Sequence, residues 1–266
     1  WKQALINRPD MLRRLLLGQP GTIMLGPQVA VGFNRDSHVR HCAPTPHVPV
    51  WIGQDGGHTP TTVIGQRLEG RVKIIGAIAS EHDGMRGHLN SLVLPWLGEH
   101  APWALDEPDM LYVRYDPSLD TDEQADIETN PMRVMRALLR GQYRPGPVSW
   151  DGRKDPMLAL LNAMHQGEPV LQLDPVQARG LVRALDGGWY YAQAMDGGLR
   201  KADTAKGSAQ PKKPNHPHED YGDAFCYLIA GMAPMGPLRD TRPKTANKAR
   251  QGFALAEMTG RRVGGR

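Results

Sequence analysis

The chain has 266 residues, 40% of them hydrophobic and 23% charged, enough to bury a full core as one large domain or two small ones. Lys plus Arg outnumber Asp plus Glu by 32 to 28, a net charge of +4, which permits an anionic partner without demanding one. Two distant cysteines, Cys42 and Cys226, argue against a disulfide scaffold, and no apolar run approaches the ~18 residues of a membrane span, so a soluble, cytoplasmic protein with no membrane partner is expected.

The first residue is Trp1 rather than Met, which reads as a piece of a longer polypeptide. Residues 1–17 mix apolar and basic positions at helical spacing until the Gly/Pro run from Gly18 to Pro27 ends the pattern. A Pro- and His-rich stretch from His41 to Pro49 then suits an extended approach to a first strand, Val48 to Gln54, which runs straight into Asp55. Thr61 to Leu68 and Arg71 to Ala79 read as a hairpin closed at Glu69-Gly70.

From Met85 the apolar residues Leu89, Leu92, Val93, Trp96 and Leu97 recur at the spacing of a helix with one buried face. Met110 to Tyr115 is a fourth strand, stopped by Asp116-Pro117. Helices are expected over Pro131 to Arg140 and over Pro156 to His165, the second burying Met157, Leu160, Leu161 and Met164, with Gly141 to Lys154 as loop between them. Pro169 to Leu173 is a short fifth strand, and the helix after Asp174-Pro175 ends at Gly187-Gly188. Residues 196–217 are polar and basic, with Lys201, Lys206, Lys212 and Lys213, and read as an exposed loop. A last helix from Glu219 to Met232 carries Phe225, Leu228, Ile229 and Met232 inward, and beyond Pro237 the tail is basic, either disordered or in contact with DNA. Hairpin-connected strands followed by helix-separated ones predict an α/β fold with a mixed sheet and helices on both faces.

Three acids stand where such a fold could gather them. Asp55 ends the first strand, Asp116 ends the fourth and Asp223 lies early in the last helix. If the first and fourth strands are neighbours, their carboxyl ends set Asp55 beside Asp116, and the last helix need only cross that edge. Hydrolysis of a phosphodiester by two metals ~3.5–4 Å apart uses such converging hard oxygen ligands. Taken singly, an Asp after a strand equally suits a turn or helix cap, and an Asp early in a helix complements its dipole. Asp120 and Asp122 compete with Asp116, and Glu219 and Asp220 compete with Asp223 or cap the helix. His58, His216 and His218 are candidates for proton transfer or metal binding, or simply exposed loop residues. Asp174 reads as a helix cap.

The segments WIGQDGGHTPTTVIGQ (Trp51 to Gln66), LYVRYDPS (Leu111 to Ser118), LDPVQARGLVRALDGGWYY (Leu173 to Tyr191) and NHPHEDYGDAFCYLIAG (Asn215 to Gly231) resemble, in order, the motifs of the nuclease domain of the tailed-bacteriophage terminase large subunit. FNRDSHV, Phe33 to Val39, resembles the start of that domain. The resemblance runs from about residue 18 to 232. It implies an RNase H-like fold, three antiparallel strands and then parallel ones. It also implies a metal-dependent endonuclease that cuts concatemeric double-stranded viral DNA at the initiation and termination of packaging.

On that resemblance Asp55, Asp116 and Asp223 are the catalytic metal ligands for two divalent cations, Mg²⁺ or Mn²⁺, with Asp55 bridging both. Lys201, Lys212 and Lys213 become candidate DNA contacts, and deletion of Lys201 to Lys213 would then alter cleavage rate or salt sensitivity. The implied organisation is a lead-in over 1–40 from an upstream ATPase domain, a nuclease domain over 41–235 and a basic tail over 236–266. The implied partners are DNA, the portal protein, the small terminase subunit and that ATPase domain, in the cytoplasm of the infected host and not in the mature virion. The ATPase itself is not expected here, since the sequence has no Gly-Lys pair from which to build a P-loop. HExxH, paired CxxC and G-x-S-x-G are also absent. The rival readings are another RNase H-like nuclease, such as a resolvase or integrase core, and a non-catalytic module that binds DNA or docks to the portal.

Overall fold

The computed structural model describes residues 26–56, 59–80, 83–120, 130–193, 199–201 and 217–232. Strands β1 (Val50–Asp55), β2 (Thr61–Leu68) and β3 (Arg71–Ala79) form the expected antiparallel meander. Glu69 and Gly70 close its hairpin with φ of 52° and 76°, the two consecutive left-handed residues that a tight hairpin turn needs to match strand twist. The later strands join the meander in parallel. β4 (Leu111–Tyr115) pairs with β1, β5 (Gln142–Pro145) pairs with β4, and β8 (Leu171–Leu173) pairs with the far edge, β3. The six-stranded order β5-β4-β1-β2-β3-β8, with its directions, is the RNase H-like arrangement expected from the sequence. A short pair, β6 (Met164–His165) and β7 (Glu168–Pro169), leads into β8.

Helices cover both faces because the central strands are apolar on both. On one face α6 (Trp150–Leu161), α7 (Arg179–Arg183) and α8 (His218–Met232) enclose Val63, Ile74, Leu171 and Leu173 with Leu160, Leu181, Phe225 and Leu228. On the other, α2 (Met85–His88), a π turn (Leu89–Val93), α3 (Leu94–His100), α4 (Trp103–Asp106) and α5 (Pro131–Leu138) enclose Val50, Ile52, Ile64, Ile75 and Val113. Each fully buried Leu, Ile or Phe contributes about 1.5–3 kcal/mol relative to exposure. Phe225, Leu228, Ile229 and Met232 all point inward, as the sequence predicts. Residues 26–40, with the short α1 (Arg35–His38), lie on the first of these faces, where Val29 and Ala30 join the core and Val39 bridges to Leu173.

Several expectations need correction. Gly141 to Lys154 is not simply loop: it contains edge strand β5 and the first turn of α6. That helix begins at Trp150, where Ser149 caps the amide of Gly152, so Pro156 sits inside the helix rather than at its start. Met164 is exposed because the helix ends at Leu161 and the chain turns into β6. Leu92 is also exposed. It falls in the π turn, whose wider winding rotates it off the apolar stripe, and Pro95 shortly after supplies no amide to close a regular α turn there. Within the segment read as an exposed loop, Leu199–Lys201 pairs as β10 with β9 (Tyr191–Gln193). The helical reading of residues 1–17, most of 196–217 and the basic tail lie outside the described residues.

Candidate active site

The parallel β1–β4 ladder builds the site's floor. Its register pairs Trp51 with Tyr112, Gly53 with Arg114 and Gln54 with Tyr115, and the Asp116 amide donates to the Gln54 carbonyl at 3.0 Å. That bond closes the last register pair of the ladder, and Asp55 and Asp116 follow it directly as the next residues of two neighbouring strands. Strand alternation then decides their face. Ile52, Val113 and Tyr115 enter the core under α2 to α5, so Trp51, Gly53, Asp55, Tyr112, Arg114 and Asp116 look toward α8. Asp55 is buried and Asp116 half-buried, and the Asp116 Oδ1 accepts from the Ser118 amide at 2.9 Å.

Helix α8 reaches this edge through a gap left by glycine. A Cβ on Gly53 would strike the carbonyl oxygen of Ala224 and stand 2.7 Å from the Cβ of Leu228, so β1 and α8 touch backbone to backbone. Asp223, next to Ala224, is thereby brought to the face that carries Asp55 and Asp116, and it too is buried.

One turn along α8, the Tyr227 hydroxyl registers all three acids. Burial pushes its pKa up most, the charges of Asp116, Asp223 and Asp55 push it further, and Arg153 opposes them. Arg153, from the first turns of α6, donates to the Tyr227 hydroxyl at 2.8 Å and stands 3.8 Å from Asp223 Oδ1. Burial alone would lower the guanidinium's pKa. The potential of Tyr227, Asp223, Cys226 and Asp116 instead raises it. Three carboxylates therefore share one neighbourhood with the half-buried guanidinium of Arg153.

Asp120 and Asp174 are held elsewhere. Asp120 accepts from the Tyr115 hydroxyl at 3.1 Å, and Tyr115 belongs to the core on the opposite face, so Asp120 is drawn away from Asp55. Asp174 is the expected cap, its Oδ1 taking the amides of Val176 and Gln177, and it also holds the amide of Cys42 and the ring of His41. Burial would raise its pKa, but the backbone bonds from Cys42, Gln177 and Val176, with His41, bring it below the ordinary carboxylate value. Glu219 and Asp220 occupy the first turn of α8, and the His218 ring packs over Gly188. His58, Asp122, His216, Lys212 and Lys213 lie outside the described residues, and Lys201 is placed by its backbone alone, in β10.

Arg153, Tyr227 and Gly53 were not singled out by sequence reasoning. A glycine inside a strand is a known sign of close backbone approach, so Gly53 carried a usable signal. Arg153 sits in a segment that reads as loop and carried none. Among the described residues, no group of three His, Cys, Asp or Glu side chains is arranged to hold a metal ion as it stands. The donor chemistry nevertheless suits a hard divalent cation, because the Tyr227 hydroxyl senses three carboxyl groups and carboxyl oxygens are the donors such a cation takes. Among the described residues no helix is long and apolar enough to cross a membrane.

No protein-family model and no curated protein matches the sequence. Among solved structures, the large terminase of a thermophilic bacteriophage aligns at 12% identity with a TM-score of 0.54, over 79% of this chain and 46% of that one. The same terminase in complex with ATP-γ-S aligns at 12% identity and a TM-score of 0.52, over 78% and 46%. The nuclease domain of the phage P22 large terminase aligns at 10% identity and a TM-score of 0.49, over 78% of this chain and 91% of that one. The chain thus spans less than half the length of the thermophilic phage's terminase, and over that span it shares the fold of a bacteriophage large terminase.

Proposed function

We propose that the chain is the nuclease part of a phage DNA-packaging terminase and cleaves double-stranded DNA by metal-dependent phosphodiester hydrolysis. The observation that carries this reading is the convergence of Asp55, Asp116 and Asp223 on one sheet edge, joined by the β1–β4 ladder and the Gly53–Ala224 contact. The fold shared with the thermophilic phage's terminase and the ordered motifs support it. In this reading Asp55, Asp116 and Asp223 hold two Mg²⁺ or Mn²⁺ ions. Such ions supply an activated water and stabilise charge on the phosphate. Arg153 holds Tyr227 and offsets part of the acids' mutual repulsion. Asp116, on a turn rather than in the ladder's interior, is the acid with most room to adjust.

The ATPase, for which these residues hold no P-loop, belongs elsewhere in the motor. DNA, portal protein and small subunit are the partners, and the host cytoplasm is the place of action. A second reading, a DNA-binding or portal-docking module without catalysis, is favoured by one observation, the absence among the described residues of a ready-made three-ligand cage. Incubation with supercoiled plasmid decides between them. Nicking that needs Mg²⁺ or Mn²⁺, stops with a chelator and is lost in Asp55→Asn supports the nuclease. DNA binding without cleavage under any divalent ion supports the module.

A further inference from the structure

Beside the acids, on the same face, lies a pocket of about 360 Å³ lined by Arg114, Arg144, the turn from Pro145 to Pro147, Ala230 and Gly231. Its two arginines are direct register partners in the parallel β4–β5 pair. Like charges set side by side on neighbouring strands destabilise a sheet, yet among the described residues neither arginine forms an ion pair. Arg114 is buried, stacked 4.9 Å over the Trp51 ring, with one bond to the Val113 carbonyl at 3.1 Å and a longer one to Gln142. Burial and then the charge of Arg144 depress its pKa, with Tyr112 opposing. Its bonds go to the strands, at Val113 and Gln142, and not to the last turn of α8, whose Met232 carbonyl accepts from Arg67 at 3.1 Å. Gly231 leaves the room that Arg114 occupies against the helix. The arrangement holds a planar cation in place beside a second, exposed one.

We propose that Arg114 and Arg144 form a phosphate subsite that grips the nucleic-acid backbone next to the scissile bond. Arg114 precedes Asp116 by two residues on the same face, about 6–7 Å along the strand. Gly146 links pocket and acids, since it lines the pocket and packs against the Tyr227 ring. Guanidinium groups fit phosphodiester oxygens through paired donors. Arg114, pinned by Trp51, provides a fixed donor, and Arg144 closes on the strand from the sheet edge.

This proposal rests on DNA being the substrate, so its test is equilibrium binding of a duplex oligonucleotide in chelator, where no cleavage occurs. Arg144→Gln is the main variant, because the side chain is exposed and its loss spares the core. Arg86→Gln removes the same charge from an exposed site on the opposite face and serves as control. Arg144→Gln is expected to weaken binding severalfold and to reduce the slope of log affinity against log salt by about 0.9, the signature of one lost phosphate contact, while Arg86→Gln stays near wild type. An unchanged slope, or equal losses in both variants, overturns the subsite, as does a wild-type chain that binds no DNA. Arg144-dependent binding in a chain that cuts under no divalent ion would leave the subsite standing and remove the nuclease reading. Cleavage indifferent to Arg144 would do the reverse.

Discussion

Gly53 lies against the carbonyl of Ala224, with no room for even a methyl group between them. The contact joins the strand that ends in Asp55 to the helix that carries Asp223, so the spacing of the acids depends on a residue with no chemistry of its own. Gly53→Ala should force α8 outward, cost about 1–3 kcal/mol as overpacking and reduce metal-dependent cleavage more than the stability loss explains. Gly98→Ala, at an exposed helical site where an added Cβ meets nothing within 4 Å, should instead stabilise by about 0.5–1 kcal/mol. Thermal unfolding of the two variants checks the contrast. Equal effects would show that the Gly53 contact is not restrictive.

The parts of this fold that were legible are those in which one periodicity governs a whole segment. β1, β2 and β3 are apolar runs with a turn signal between β2 and β3, and α8 is a long apolar segment buried without a break from Gly222 to Ile229, so their positions and the inward Phe225, Leu228, Ile229 and Met232 follow from the residues. β5 escaped notice because an edge strand of Gln, Tyr, Arg and Pro buries almost nothing and shows no alternation. The start of α6 escaped because Pro156 imitates a first-turn proline, whereas Ser149 is the actual cap. In the candidate site Asp55 and Asp116 stand out at strand ends and Asp223 in the early turns of the last helix. Arg153 and Tyr227 do not, since only tertiary packing brings α6 over α8.

Arg153 is the one positive charge described next to Asp223, and Asp223 and Asp116 both raise its pKa. Arg153→Gln should destabilise the metal-free protein by roughly 2–3 kcal/mol, through loss of the charge-assisted bond to Tyr227 and of the compensating charge. A divalent cation would then relieve more repulsion in the variant than in the wild type. The rise in melting temperature on adding Mn²⁺ should accordingly be larger for Arg153→Gln, by the usual linkage of binding to stability. A smaller rise would mean that Arg153 helps to hold the cation's site together rather than substituting for its charge.

His88 supports the floor of the site from the other face. Thr62 donates to Gln54 Oε1 at 2.5 Å, so its oxygen accepts from His88 Nε2 at 2.8 Å, while Ser80 donates to Nδ1 at 3.0 Å. This network assigns the neutral Nε2–H tautomer. Burial lowers the His88 pKa from 6.5 to about 4. Because the folded value is depressed, the stability it contributes is fully present above pH 6.5 and is lost as pH falls toward 4. At full extent that is roughly 3 kcal/mol. Urea unfolding at pH 7 and pH 4.5 should show this loss in the wild type and a shallower dependence in His88→Gln. Parallel pH profiles would place the acid sensitivity elsewhere.

Whether Asp55, Asp116 and Asp223 together hold divalent cations can be read from anomalous scattering by crystals soaked in Mn²⁺. Anomalous density contacted by Asp55 and Asp116, with Asp223 completing the coordination, is expected, and it should be lost in Asp55→Asn. Mn²⁺ bound only at other acids, or no bound Mn²⁺ with the three side chains kept apart, would contradict that coordination.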